Sequence, residues 1–252
     1  MVCNFKLSII IATYNAEKYL TTCIDSILKD KTESVELIII DGGSTDSTVN
    51  LIKSYKQQVD FFLSEPDKGI YDAWNKAIGF AKGEWITFIG SDDVIYPDSL
   101  PNMLEILETV SEKTEFIFSM AQIISNTGET IGYRGKEYLF NDFKKGMTIS
   151  HVFSLHRKRV FKKMGLFDLD YKICADYEFM MRYQNTLVSF FLPIISVKMM
   201  IGGMSFSKDA IKEAYKIRRK YQYNSLILDI LYLLIAYIGF YRFKMKMVFS
   251  ND

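Results

Sequence analysis

The chain has 252 residues, 49% of them hydrophobic, with 31 Lys and Arg against 30 Asp and Glu, for a net charge of +1. That is enough apolar material for one large domain, or one domain with an appendage, and the balanced charge argues against a nucleic-acid partner. The three cysteines, Cys3, Cys23 and Cys174, are odd in number and widely spaced, which argues against a disulfide framework or a cysteine-based zinc site.

Residues 1–6 carry no secretory pattern and lead straight into a strand, so a reducing cytoplasm is the expected compartment. Residues 7–12 are a short apolar run rich in β-branched side chains, the pattern of a buried strand, closed by Thr13, Tyr14 and Asn15. Leu20, Cys23, Ile24, Ile27 and Leu28 follow at helical spacing. Residues 35–40 predict a second strand, ending in the polar loop 41–46, where Ser44 or Thr45 can cap a helix carrying Val49, Leu51, Ile52 and Tyr55. Residues 61–64 predict a short third strand and residues 65–69 a loop. Ile70, Ala73, Trp74, Ala77, Ile78 and Ala81 then share one face of a helix stopped at Gly83, and Trp74 on that face reads as core. Residues 85–89 predict a buried fourth strand, which runs into the turn signal Gly90-Ser91 and two adjacent carboxylates, Asp92 and Asp93.

This alternation predicts an α/β fold, a mainly parallel sheet flanked by helices on both faces. The polar loops 13–15, 41–46, 67–69 and 91–93 then gather along one edge of the sheet, where open α/β sheets bind their ligands. Asp92 and Asp93 repel each other unless a cation or hydrogen-bond donors sit between them. A hard divalent cation that also bridges a diphosphate resolves the conflict. The plainer alternative is an Asx-turn leading into the helix start at Pro97, Asp98 and Ser99.

Beyond Asp93, Leu100, Met103, Leu104 and Leu107 predict a helix and residues 116–120 a strand. Residues 121–124 and 130–133 flank Asn126, Thr127 and Gly128, a hairpin signal. Residues 147–155 read as a loop passing into a strand, and Val160 and Phe161 begin a short helix that ends at Gly165. Cys174, Ala175 and Asp176 open an amphipathic helix, and residues 192–201 are strand-like. From Lys208 onward nine Lys and Arg face four Asp and Glu, a net +5, which leaves −4 on the preceding part. Residues 225–241 are strongly apolar, interrupted by Asp229 and Gly239 and followed by Arg242, Lys244 and Lys246. The chain is therefore divided into a domain over 1–207 and a basic and apolar helical tail over 208–252. The apolar stretch is slightly shorter than the about 20 residues of a spanning helix, and its basic flanks suit peripheral contact with an anionic membrane. A helix packed on its own domain, or on a second subunit in a homodimer, accounts for the tail equally well.

Five stretches together resemble the family-2 inverting glycosyltransferases of GT-A fold, most closely the bacterial enzymes that build surface polysaccharides. They are residues 8–15, 41–46, 67–76 and 91–93, and the pair 165–168 with 175–178. Each is weak alone; five in order at compatible spacing are specific. The resemblance implies a nucleotide-sugar donor, a UDP-sugar, and a glycan or lipid-linked acceptor. It implies that Thr13 and Asp41 line the nucleoside pocket, that Asp67 and Lys68 touch sugar or nucleotide, that Asp92 meets the ribose, and that Asp93 holds Mg²⁺ or Mn²⁺. It places the catalytic base at Asp176. Each has a plainer reading: a turn or cap for Asp41 and Asp176, a solvated pair for Asp67 and Lys68. Gly42 stands where UDP-binding members often carry a second acidic residue, which leaves the base open. His151 and His156 are the other candidate bases, with a structural role favoured for His151; Glu178 has no assigned role. A nucleotide-sugar-binding scaffold without catalysis, acting through its tail, is the competing reading. A Rossmann dehydrogenase is disfavoured, because Thr13-Tyr14-Asn15-Ala16 stands where Gly-x-Gly-x-x-Gly belongs.

Overall fold

The computed structural model describes residues 5–125, 127–201 and 204–249, with side chains as far as Met245. Cys3, Asn126 of the hairpin turn, Gly202 and Gly203 lie outside these residues. The first part alternates as the sequence predicts: β1 (Leu7–Thr13), α1 (Leu20–Leu28), β2 (Val35–Asp41), α2 (Thr48–Ser54), β3 (Phe61–Ser64), α3 (Ile70–Phe80) and β4 (Trp85–Gly90). β1 and β2 are buried along their whole length, which is why they are continuous apolar runs rather than alternating ones.

These four strands run parallel in the order β3-β2-β1-β4. Their register sets Thr13 beside Asp41, Ala12 beside Gly90 and Asp41 beside Ser64, so the carboxyl ends are aligned. Successive side chains serve opposite faces. Ile10, Ile38, Ile40, Ile86 and Phe88 pack with Ala73, Trp74 and Ala77 of α3 on one side. Leu7, Ile9, Ile11, Leu37 and Ile39 pack with Leu20, Cys23, Ile24 and Ile27 of α1 on the other.

The second part adds β5 (Val94–Ile95), α4 (Ser99–Thr109), β6 (Phe116–Ile124), β7 (Thr130–Arg134), α5 (Phe140–Phe143), β8 (Leu155–Arg157), α6 (Arg159–Met164), α7 (Ala175–Met181), β9 (Ser189–Met200), α8 (Lys208–Tyr221) and α9 (Leu226–Phe249). The sheet continues β4-β8-β6-β9-β5, with β7 hairpinned on β6. β8 is antiparallel to both neighbours, β6 and β9 are parallel, and β5 is antiparallel to β9.

Three local details differ from the sequence reading. β6 is one strand through residues 116–124, where two pieces were expected. Neither Ser44 nor Thr45 caps α2, which starts at Thr48; the Ser44 hydroxyl donates to Asp41 instead. β5 has no counterpart in the sequence pattern, because two residues are too few to show a period and its partner β9 lies about a hundred residues on.

α8 is packed into the fold: Ile217 is fully buried in the same core as α3 and α7. In α9 the fully buried Asp229 meets Arg218 and Arg219 of α8, while Ile227, Ile235 and Ile238 are 80%, 55% and 58% exposed.

Candidate active site

The end of β4 carries the first pair of acidic groups. The Asp93 carboxylate is buried and accepts a hydrogen bond from the Gly90 N–H at 2.9 Å; the Asp93 N–H donates back to the Gly90 carbonyl at 3.1 Å. Asp92 is half-buried beside it. A Cβ on Gly90 would lie 2.7 Å from Asp93 Oδ2 and 3.0 Å from Asp92 Oδ1. Glycine therefore leaves the space over which the two carboxylates converge. Burial pushes the Asp93 carboxyl well above the usual range, with the charge of Asp92 adding to it; burial raises Asp92 as well.

This donor set fits a hard divalent ion. Two carboxylate oxygens approach a common point, and a positive charge there offsets the burial that raises both groups and the Asp92 charge that adds to it at Asp93. Among the described residues no cluster of three or more His, Cys, Asp or Glu side chains forms a closed protein cage. A site completed by substrate phosphates and water is the usual arrangement for Mg²⁺.

Asp176 sits in the first turn of α7, one residue inside its start; Cys174 occupies the cap position. Its Oδ1 accepts from the Tyr177 N–H at 2.8 Å and lies 3.0 Å from the Tyr71 hydroxyl. That hydroxyl also donates to the Ile173 carbonyl at 2.7 Å. One phenolic proton cannot satisfy both acceptors fully, so Asp176 keeps acceptor capacity of its own. Burial raises its carboxyl pKa, and the bonds from Tyr177 and Tyr71 oppose the rise only in part.

Asp92, Asp93 and Asp176 line a single cleft of about 580 Å³. His151 and Trp74 line it too, with ring centroids 5.4 Å apart. Burial lowers the pKa of His151 to about 3, which makes it a neutral ring and a poor proton acceptor near neutral pH. His156 is fully buried against Phe88 and Phe116, away from the cleft lining, and burial lowers its pKa too. Glu178 is 1% exposed and engaged by Arg182, Lys220 and Tyr221.

The remaining predicted residues sit at the ends of β1 and β2 and in the loop between β3 and α3, outside that cleft lining. Thr13 is buried, and its hydroxyl has no partner among the described residues. Asp41 is fully buried and accepts from the Gly43 and Ser44 N–H groups and from the Ser44 and Ser64 hydroxyls, so it holds its own loop to β3. Asp67 accepts from the Gly69 N–H at 2.8 Å. A Cβ on Gly42 would lie 2.6 Å from Asp67 Oδ2. The Asp67 carboxylate thus fills the space that a side chain at residue 42 would take. Lys68 is exposed, and its carbonyl accepts from Lys172 Nζ at 3.4 Å.

Several residues around the site were not singled out from sequence. Tyr71 reaches Asp176 across 105 residues. Glu213 of α8 accepts from the backbone N–H groups of Lys172, Ile173 and Cys174 at 2.9, 2.8 and 2.9 Å. Asn75 bonds both the N–H and the carbonyl of Phe167, which joins two of the recognised stretches through structure rather than chemistry. Tyr71 and Asn75 lie inside a quoted motif; Glu213 carries no sequence signal.

A family model described as "Glycosyl transferase family 2" matches residues 8–165. A "PGL/p-HBAD biosynthesis glycosyltransferase" of Mycobacterium tuberculosis is 30% identical over 179 residues, which cover 69% of this chain and 68% of that protein. An uncharacterized glycosyltransferase of Rickettsia typhi is 25% identical over 217 residues, 82% of this chain and 67% of the relative. Among solved structures, S. aureus TarS in complex with UDP-GlcNAc superposes with a TM-score of 0.70 at 19% identity; the match covers 86% of this chain and 65% of that one. The mannosyltransferase PcManGT from Pyrobaculum calidifontis, in complex with GDP-Man and Mn²⁺, gives 0.63 at 14% identity, over 88% of this chain and 65% of that one. The chain spans about two thirds of the length of these proteins, and its mixed sheet with flanking helices is the GT-A fold. On the extent of the family match, the chain belongs to glycosyl transferase family 2 and is a glycosyltransferase.

Proposed function

We propose that the chain transfers a sugar from a nucleoside-diphosphate donor, a UDP-sugar, to an acceptor hydroxyl in polysaccharide or glycan biosynthesis, with inversion at the anomeric carbon. The observation that carries this reading is the convergence of Asp92, Asp93 and Asp176 on one cleft. Asp93 would hold Mg²⁺ or Mn²⁺, which when bound supplies positive charge against the diphosphate of the leaving nucleotide. Asp92 faces the ribose. The unpartnered Thr13 hydroxyl and the Asp67 carboxylate in the space above Gly42 offer the nucleoside its polar contacts, with Asp41 fixing the loop between them and Lys68 at its rim.

Asp176 takes the acceptor's hydroxyl proton as the new C–O bond forms on the face opposite the breaking bond. The bonding pair leaves with the nucleoside diphosphate. A carboxyl raised by burial is a stronger base than an ordinary aspartate, and a free acceptor alcohol needs such help. The glycan or lipid-linked acceptor would meet the enzyme on the cytoplasmic side, at the inner face of the membrane, with α9 as the peripheral contact; a homodimer through α9 is the competing use of that helix. A catalytically silent scaffold has no use for an acid of raised pKa in the same cleft as the carboxylate pair, which favours the enzymatic reading.

Asp176→Asn keeps shape and the bond from Tyr177 but removes the proton acceptor. Donor binding should hold while transfer falls about 10²–10⁴-fold. Transfer near the wild-type rate would remove Asp176 from the chemistry.

A further inference from the structure

The cleft is electrically divided. Besides the three acidic groups it is lined by Arg134 of β7, Lys145, Lys172 and Arg218 of α8. Lys145 is half-exposed and paired with Asp142 at 2.7 Å, and Lys172 is exposed. Arg218 differs from both: it is 3% exposed, and its Nε and Nη2 have no hydrogen-bond partner among the described residues. Asp229 lies 3.4 Å from Arg218 Nε, close enough for charge attraction but without a directed N–H. The two Asp229 oxygens are instead taken by Arg219 Nη1 at 3.0 Å and Asn224 Nδ2 at 3.1 Å. Two guanidinium groups thus share one buried carboxylate, which leaves an excess positive charge and unmet donors at the cleft wall. A buried charge without hydrogen bonds is costly, and a guanidinium fork matches a tetrahedral oxyanion.

We propose that Arg218, with Arg134 beside the cleft, forms an anion subsite for a phosphate group of the acceptor, separate from the donor diphosphate at Asp92 and Asp93. Arg134 lines the same cleft as Asp176, and its charge lowers the Asp176 carboxyl against the larger effect of burial. The inference rests on the glycosyltransferase reading only for naming the ligand as the acceptor. The phosphate could belong to an amphiphile's head group or to a soluble phosphorylated glycan, and both present the same oxyanion.

The test is calorimetric titration of the full chain, with UDP and Mn²⁺ saturating the donor side, using dodecyl phosphate, inorganic phosphate and dodecanol as probes. Dodecyl phosphate should bind without displacing UDP and more tightly than dodecanol. Its affinity should fall about tenfold or more in Arg218→Gln and in Arg134→Gln, in line with the loss of a charge-assisted bond. Arg218→Gln leaves Arg219 and Asp229 as a balanced pair, and Arg134→Gln, at a half-buried residue outside that ion cluster, tests the same loss in a chain that folds if the Arg218 variant does not. Inorganic phosphate binding as well as dodecyl phosphate identifies a phosphate reader; binding of dodecyl phosphate alone identifies an amphiphile's head group. The proposal is overturned if dodecyl phosphate binds the folded variants within about twofold of wild type, binds no better than dodecanol, or competes with UDP. Failure of the wild type to bind UDP at all counts against the donor assignment instead, and is read in the same titration before any probe is added.

Discussion

At Asp176 two influences oppose each other. The Tyr177 N–H and the Tyr71 hydroxyl favour the ionised carboxylate, and burial disfavours it; burial dominates, so the pKa lies above that of an ordinary aspartate. A base must be deprotonated to act, so the acid limb of the kcat/KM–pH profile should stand above the about 3.9 of a free aspartate. Stability carries the opposite sign. With the folded pKa raised, the native state binds more protons than the unfolded chain between the two pKa values, so this contribution is full below the unfolded pKa and is lost as pH rises through the folded one. Denaturation of wild type and Asp176→Asn between about pH 4 and 7 should therefore show a smaller stability loss with rising pH in the variant; parallel curves would contradict the burial argument. Asp92 and Asp93 stand out in the sequence because they sit where an apolar run gives way to a polar turn, whereas Asp176, at a helix start, stands out through the family resemblance. Arg134, Arg218 and Tyr71 do not, since their roles depend on partners far along the chain, and an isolated basic or aromatic residue gives no sign of what it faces.

Among the elements, α8 has the least visible role in sequence and a direct one in structure. Its Glu213 binds three successive backbone N–H groups ahead of α7 and so fixes the approach to Asp176. Hydrogen bonds to a charged acceptor contribute about 1.5–3 kcal/mol each. Glu213→Gln keeps the size but gives up the charge and one acceptor oxygen. It should lose about 2 kcal/mol of stability and, at a temperature where it stays folded, lower kcat roughly tenfold through misplacement of Asp176. UDP affinity should be unchanged. A pure loss of stability with wild-type kcat would make Glu213 a scaffold residue only. The β1–β4 half was readable because fully buried parallel strands announce themselves as apolar runs. The second half was less so: β5 is formed by its pairing with β9, and α8 is defined by hydrogen bonds its own composition does not encode.

At the scale of the whole molecule, α9 is an apolar helix that packs along α8 on one side and leaves much of its surface exposed. Residues Leu226–Met245 are long and apolar enough by length and composition to cross a bilayer, and only 6% of that stretch is buried. Its first turn is held to the domain by Asp229 between Arg218 and Arg219, and Tyr232 and Ala236 reach the cleft wall. The sequence located this stretch but not its exposure, which only the packing of α8 and α9 reveals. Replacing the exposed Leu231, Ile235 and Ile238 together with Glu should cut co-sedimentation with anionic liposomes by about tenfold or more, since each buried apolar side chain contributes about 1.5–3 kcal/mol. Unchanged partitioning would favour packing on a second copy. The account of the molecule as an enzyme turns on the carboxylate pair at the end of β4. The most direct measurement of it is turnover of a panel of UDP-sugars by the full chain with Mn²⁺, with EDTA, and with Asp93→Asn. The account predicts release of UDP from at least one donor with Mn²⁺, and its loss both in EDTA and in the variant. Full turnover in EDTA or in Asp93→Asn would contradict it.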